Sequence, residues 1–361
     1  LIRVLIVDDS IFMRTALAKM LESDPEIRVI DVARNGREAI EKIRRHRPDV
    51  VTMDILMPEL NGLDALRIIQ RDFSVPVLMV SSLTEEGAQA TLEALSLGAF
   101  DYIPKGLNRA PVDVLQIQKE LIAKVRAAYE TKKRKDSPKP LLKVKKGGVQ
   151  EPALSPSHPI EIMVIGASTG GPKAVQEIVT KLPGDFPIPI LVVIHMPATF
   201  TRSYAERLNQ MSNLKVVETE HGQALSPGTV YVARGGIHTY VRRSGDGFSV
   251  RLSPSPEDSL HRPSVDITML SVAQEYGPAS LGIILTGMGK DGLMGMKEIY
   301  RAGGITLAQD ERSCVVYGMP RVCVEHNVVH RVVPLNEMAR VIEKIVRASG
   351  SGQKKNSASA S

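Results

Sequence analysis

Two sets of residues in this 361-residue chain have the types and spacing to do chemistry. The first is acidic. Asp8 and Asp9 follow the apolar run Ile2 to Val7, Asp54 follows Val50 to Met53, Ser81 follows Val77 to Val80, and Lys105 follows Tyr102 and Ile103. Carboxylates brought together repel one another unless a hard cation shares them, and Mg²⁺ held by carboxylates, waters and a phosphate answers that requirement. A carboxylate in such a pocket can attack phosphorus and become an aspartyl phosphate. Lys105 and the Ser81 hydroxyl would then take the phosphoryl oxygens, and Asp54, which stands alone, is the best nucleophile. Any one of these acidic residues reads as a turn or cap residue. Five polar groups at matched run ends point instead to one pocket.

The second set is nucleophilic. Gly166-Ala167-Ser168-Thr169-Gly170-Gly171 separates a strand-like run from a helical pattern, so Ser168 sits on a tight turn with little bulk around it. A glycine-rich turn can also cradle phosphate, but this one has neither the Walker lysine nor the GxGxxG spacing. A serine nucleophile needs a base, and the base needs an orienting carboxylate. His195 follows the run Ile190 to Ile194, and Asp291 ends LGIILTGMGKD at 281 to 291. The order Ser, His, Asp differs from the Ser, Asp, His of α/β-hydrolases, which argues against a lipase or ordinary esterase fold. His221 and His238 read as structural.

Strand ends must gather these groups, and the pattern supplies them. To about residue 130, strands at Ile2 to Val7, Val29 to Val32, Val50 to Met53, Val77 to Val80 and Tyr102 to Ile103 alternate with helices. The last helix carries Val114, Ile117, Leu121 and Val125 after Pro111. Residues 131–158 fall into Lys, Pro, Gly and Ser, a flexible basic linker. A second alternation fills residues 159–348, with strands at Ile162 to Ile165, Ile190 to Ile194, Thr229 to Ala233 and Leu281 to Leu285. Its first helix carries Val175, Ile178, Val179 and Leu182, and its closing helix Met338, Val341, Ile342 and Ile345. Residues 349–361 read as a disordered tail. The expected fold class is α/β, two domains each with a doubly wound, mainly parallel sheet whose carboxyl edge collects the polar groups.

Composition removes several functions. Lys and Arg number 46 against 40 Asp and Glu, a net charge of +6, yet Thr131 to Lys146 alone carries eight basic residues and one acidic one, leaving the rest at −1. The basic balance is therefore a solvated spacer, and the folded parts lack the distributed positive field of a duplex binder. At 4% aromatic residues and no Trp, stacking platforms for single strands are scarce as well, so no nucleic-acid partner is expected. Cys314 and Cys323, with no second pair, read as reduced core thiols. No apolar run approaches the roughly 18 residues of a membrane span. The opening run, broken by Arg3 and followed by Asp8 and Asp9, is unlike a signal peptide. The expectation is a cytoplasmic monomer without direct membrane insertion.

The first half resembles the receiver domain of two-component response regulators through VLIVDDS at 4 to 10, MDILMP at 53 to 58, NG at 61 to 62, MVSS at 79 to 82 and DYIPK at 101 to 105. The resemblance implies a flavodoxin-like fold, Asp54 as phosphoacceptor and Mg²⁺ held by Asp8, Asp9, Asp54 and the backbone carbonyl of Leu56. It also implies that Ser81, Tyr102 and Lys105 respond to the phosphoryl group. Leu56 stands where the family often has a polar residue, and Gly106 where it usually has proline.

Residues 159–348 resemble the catalytic domain of chemotaxis protein-glutamate methylesterases. The likeness rests on GASTGG, HMP at 195 to 197, PG at 227 to 228, VYVARGG at 230 to 236, HRPSVD at 261 to 266, TGMGKDG at 286 to 292, AGG at 302 to 304 and AQDERSCVVYGMP at 308 to 320. It implies a Rossmann-like serine hydrolase domain with Ser168 as nucleophile, His195 as general acid/base, Asp291 as its orienting partner and the Met288 backbone N–H as an oxyanion donor. Thr169 and His261 shape the site, and the esterase reaction needs no cofactor. The implied substrates are glutamate γ-methyl esters, and also glutamines, on chemoreceptors, with a chemotaxis histidine kinase as phosphodonor. The implied control is inhibitory, the unphosphorylated receiver covering the approach to Ser168. A non-enzymatic response regulator would leave the serine cluster unexplained, a DNA-binding regulator would need a helix-turn-helix, and a small-molecule serine hydrolase differs only in substrate.

Overall fold

A computed structural model describes residues 1–105, 111–136, 156, 158–245 and 247–357. The chain divides into two compact units, Leu1–Val144 and Lys145–Ser361. Gly106 and residues 137–155, the body of the expected linker, lie outside the described residues.

Unit 1 alternates strictly: β1 (Ile2–Val7), α1 (Ile11–Leu21), β2 (Ile27–Ala33), α2 (Gly36–His46), β3 (Val50–Asp54), α3 (Gly62–Asp72), β4 (Val77–Ser81), α4 (Glu85–Ser96), β5 (Asp101–Pro104) and α5 (Pro111–Asp136). The strands are near-continuous apolar runs because helices cover both faces of the sheet; β3 and β4 are buried at every residue. Sheet order is β2-β1-β3-β4-β5, all parallel, with Val7 opposite Met53 and Met53 opposite Met79. Strand order reverses between β1 and β3, opening a crevice at their carboxyl ends where ligands bind in such sheets. Asp8 and Asp54 stand on its two sides.

The expected boundary at residue 130 is corrected here: α5 continues to Asp136. Lys132 turns its charge inward, donating to the Pro48 carbonyl at 3.1 Å and lying 3.5 Å from Asp49 Oδ1, so the start of the basic run belongs to the folded unit.

Unit 2 contains β6 (Ile162–Ala167), α6 (Gly171–Val179), β7 (Ile190–Ile194), α7 (Ala198–Met211), β8 (Lys215–Glu218), β9 (Thr229–Val232), β10 (His238–Ser244) and β11 (Gly247–Ser253). It continues through α8 (Val265–Tyr276), β12 (Ser280–Ile284), α9 (Leu293–Arg301), β13 (Ile305–Gln309), α10 (Met319–Glu325), β14 (Arg331–Val333) and α11 (Leu335–Ser357). Seven strands form a parallel sheet of order β14-β13-β12-β6-β7-β9-β8, and β10 and β11 form a separate antiparallel hairpin. The reversal of order falls between β6 and β12, which places the turns after those strands, bearing Ser168 and Asp291, at the ligand-binding crevice.

The tail expected from Ser349 onward is also corrected, since α11 runs to Ser357. Ser349 accepts the Ile160 N–H at 3.0 Å and donates to the Val346 carbonyl. Once an amphipathic helix is anchored, each added residue gains a hydrogen bond without a new nucleation cost.

Candidate phosphorylation and hydrolase sites

In unit 1, Asp8 is fully buried, Asp54 nearly so, and Asp9 exposed, and one ligand atom of each lies within 4.8 Å of the others. Backbone geometry aims them. Asp8 Oδ1 accepts the Ser10 N–H at 2.9 Å, and Asp54 Oδ1 accepts the Ile55 N–H at 2.7 Å. Gly62 presses on β3 so closely that a Cβ there would fall 2.0 Å from the Asp54 carbonyl oxygen.

Lys105 Nζ bridges the pair at 2.7 Å from Asp54 Oδ2 and 3.0 Å from Asp8 Oδ2. Burial pushes the Asp54 carboxyl up, Lys105 opposes that and the Asp8 anion adds to it; the net direction is upward. Burial works against the Lys105 ammonium, but Asp54 and Asp8 outweigh it and hold its pKa above the ordinary value. Asp8 Oδ2 is buried without an aligned hydrogen-bond donor even though Lys105 is close. An anionic oxygen so placed, among three carboxylates, fits a divalent cation.

Ser81 is buried and accepts a hydrogen bond from Thr91 Oγ1 at 2.7 Å; its own hydroxyl lies within reach of the Gly87 carbonyl at 3.2 Å, tying it to α4. Tyr102 is buried, with Lys124 Nζ 5.1 Å from its ring and bonded to its carbonyl at 2.7 Å. The Leu56 side chain is exposed. Sequence reasoning missed Thr91 and Lys124, which lie inside helices and carry no motif.

In unit 2, Ser168 is half-buried on the turn after β6, its N–H donating to the Thr286 carbonyl at 3.0 Å and its carbonyl accepting from Gly171 at 2.7 Å. Gly170 closes the turn at φ +76°, a left-handed conformation that favours glycine, and a Cβ there would meet Val315 at 2.6 Å. His195 Nε2 lies 2.7 Å from Asp291 Oδ2. His195 Nδ1 is buried without a hydrogen-bond partner, which leaves it as the nitrogen available to a serine. The usual triad orders the two nitrogens the other way.

Asp291 is saturated. Its oxygens accept from His195, Ser264 Oγ at 2.9 Å and the N–H groups of Val265 at 2.8 Å, Asp266 at 3.0 Å and Gly292 at 3.1 Å. Burial pushes its carboxyl up, but His195 and the peptide N–H groups overcome this and hold it far below the usual carboxylate range.

His261 stacks on His195, ring centroids 3.8 Å apart and 11° from parallel, fixing the imidazole plane. Thr169 is buried beside Ser168, its carbonyl accepting from Thr286 Oγ1 at 2.9 Å. Met288 follows Gly287, where a Cβ would lie 2.2 Å from Met319 Sδ, 2.9 Å from Ser168 Cβ and 3.0 Å from Ser168 N. Gly287→Ala should therefore press on Met319 and on the Ser168 turn, lowering turnover about tenfold and stability by about 1–3 kcal/mol. Denaturant unfolding and ester hydrolysis check this, and wild-type values in both would show that the turn can yield. His238, buried, accepts the Ser264 N–H through Nδ1, and His221 accepts the Leu252 N–H. Ser264 and Asp266 were missed as site residues, although HRPSVD contains them.

A carboxylate pocket at the carboxyl edge of one sheet, and a bonded His195–Asp291 pair at the same edge as the Ser168 turn of the other, fit a class: a response-regulator receiver joined to a serine hydrolase. The response regulator receiver family matches residues 4–114, and the CheB methylesterase family matches residues 163–342. The chain is 44% identical to a protein-glutamate methylesterase/protein-glutamine glutaminase of Oleidesulfovibrio alaskensis, over 96% of this chain and all of the relative. It is 43% identical to one of Pyrococcus abyssi, over 96% of this chain and 93% of the relative. The solved methylesterase catalytic domain of Thermotoga maritima is 39% identical, with a TM-score of 0.51, and is covered to 99% by 52% of this chain. The chain belongs to the protein-glutamate methylesterase/protein-glutamine glutaminase family of chemotaxis response regulators.

Proposed function

We propose that this protein hydrolyses glutamate γ-methyl esters on chemoreceptors, and deamidates receptor glutamines, under control of phosphorylation at Asp54. The observation that carries the hydrolase half is the His195–Asp291 contact of 2.7 Å with the second imidazole nitrogen left without a partner. In the proposed reaction His195 Nδ1 removes the Ser168 proton and Ser168 Oγ attacks the γ-carbonyl. His195 then gives that proton to the leaving methoxy oxygen, releasing methanol, or to the leaving amide nitrogen of a glutamine, releasing ammonia, and water hydrolyses the acyl-enzyme by the same route. The Met288 N–H is the proposed oxyanion donor, while Thr169 and His261 hold the turn and the imidazole. No cofactor enters this reaction.

In the receiver, Asp8, Asp9, Asp54 and the Leu56 carbonyl would hold Mg²⁺, which when bound neutralises phosphoryl charge. Asp54 takes the phosphoryl group from a chemotaxis histidine kinase, Lys105 pairs with its oxygens, and Ser81 and Tyr102 change position. The proposed setting is a cytoplasmic monomer acting on membrane receptors without inserting itself. No helix among the described residues is long and apolar enough to cross a membrane.

Methanol release from methylated receptor membranes, with and without phosphodonor, tests the reading; no release under either condition would overturn it. The proposed control is inhibitory, and a coupling of about 1–3 kcal/mol corresponds to roughly 5- to 150-fold activation. A fragment beginning at Pro159 should therefore outpace the unphosphorylated full chain, and phosphodonor should accelerate the full chain alone. Equal rates for fragment and unphosphorylated chain would remove the inhibitory part.

A further inference from the structure

Asp291 is held by the first turn of α8, and α8 receives something back. α9 starts behind Gly292, which has no side chain with which to cap it. The missing acceptor comes from α8. Asp266 Oδ1 accepts the Gly295 N–H at 2.8 Å, and the N–H groups of Met294 and Gly292 face the same carboxylate. Asp291, in turn, caps α8 through Val265 and Asp266. Each helix is thus capped by an aspartate from the start of the other. The crossing is tight, since a Cβ on Gly295 would fall 2.3 Å from Met269 Cβ.

We infer that Asp266 is a positioning residue for ester hydrolysis: through the first turn of α9 it fixes the Asp291–Gly292 turn, and its negative charge behind Asp291 favours the imidazolium that forms on His195. The inference rests on the reading of Ser168, His195 and Asp291 as the hydrolytic triad. Mere helix capping would need no charge. Burial, only partly countered by the Gly295 N–H, and the neighbouring Asp291 anion push Asp266 up to about 6. Its charge is therefore lost, as pH falls, sooner than that of an ordinary carboxylate.

Among the described residues, other titratable groups adjoin the pair. His195 and its stacking partner His261 adjoin Asp291. From β10 comes His238, whose protonation burial disfavours, with Arg262 acting on it. From α10 comes Cys323, whose thiol is pushed up to about 12 by burial and the Asp266 charge. None of them replaces the Asp266 carboxylate as an acceptor for α9.

The test uses the full-length protein and methanol release from methylated receptor membranes, comparing Asp266→Asn, Asp266→Ala and Ser168→Ala. Turnover is normalised to the folded fraction of each preparation, read from its unfolding transition, so an unfolded fraction does not register as lost kcat. The near-isosteric Asp266→Asn keeps an acceptor for Gly295. It should lower kcat about tenfold, leave KM within about twofold, and move the acid limb of kcat/KM to lower pH by about half a unit. Asp266→Ala should lose roughly a further tenfold in kcat. Wild-type kcat and acid limb in Asp266→Asn would overturn the inference, and so would a fall in kcat with the acid limb unmoved. Ser168→Ala separates the two levels: undiminished release there sinks the triad itself. An inactive Ser168→Ala beside an unaffected Asp266→Asn sinks only the role of Asp266.

Discussion

Ser168→Ala should abolish methanol release from methylated receptors, by three or more orders of magnitude, while unit 2 unfolds at the wild-type temperature and Asp54 still accepts phosphate. The size follows from how such clusters work. Nucleophile, base and orienting acid act as a unit, so losing the nucleophile costs about as much as losing all three. The structural cost is small, because the turn is held by backbone bonds of Ser168 with Thr286 and Gly171, and alanine keeps both. Asp291→Asn should lose much of the activity by another route. The asparagine amide can accept fewer of the five donors now on the carboxylate, and it cannot balance an imidazolium at 2.7 Å. Release by Ser168→Ala within tenfold of wild type would move the nucleophile elsewhere.

Strand positions and strand-end chemistry were legible in the sequence because parallel strands buried on both faces are written as unbroken apolar runs. The runs Ile2 to Val7 and Ile190 to Ile194 match β1 and β7 residue for residue. The short or half-exposed strands β8, β10, β11 and β14 carry no such run. Lys215–Glu218 and Arg331–Val333 mix charge with valine, and the hairpin is solvated along much of its length. Composition also misled at both domain ends. The lysines after Tyr129 and the Gly–Ser stretch after Ala348 look like spacers, yet Lys132 and Ser349 are each bonded into the fold.

Among the candidate site residues, Asp8, Asp9, Asp54 and Lys105 lie together, as do His195 and Asp291. What the sequence did not reveal is which imidazole nitrogen faces the acid, since that depends on ring orientation. Ser264 and Asp266 escaped for a related reason. Their role comes from two helix starts meeting across 27 to 29 residues of sequence, and no local pattern encodes a meeting of that kind.

Asp54→Asn should eliminate Mg²⁺-dependent phosphorylation by a small phosphodonor and with it the activation of hydrolysis, leaving the unphosphorylated rate in place. An amide is a poor nucleophile toward phosphorus and a weaker ligand for a hard cation. The fold should tolerate the change. Asparagine can still accept the Ile55 N–H, and removing a carboxylate whose ionisation burial disfavours relieves part of the cost of packing three acids together. Lys105 would retain Asp8 as its partner at 3.0 Å. Radiolabel transfer from acetyl phosphate, run beside methanol release on the same preparation, reads both consequences. Labelling at the wild-type level would place the phosphoacceptor on another residue. Loss of labelling with activation intact would detach control of the hydrolase from Asp54, because a phosphodonor can bias two states only through a group that differs between them.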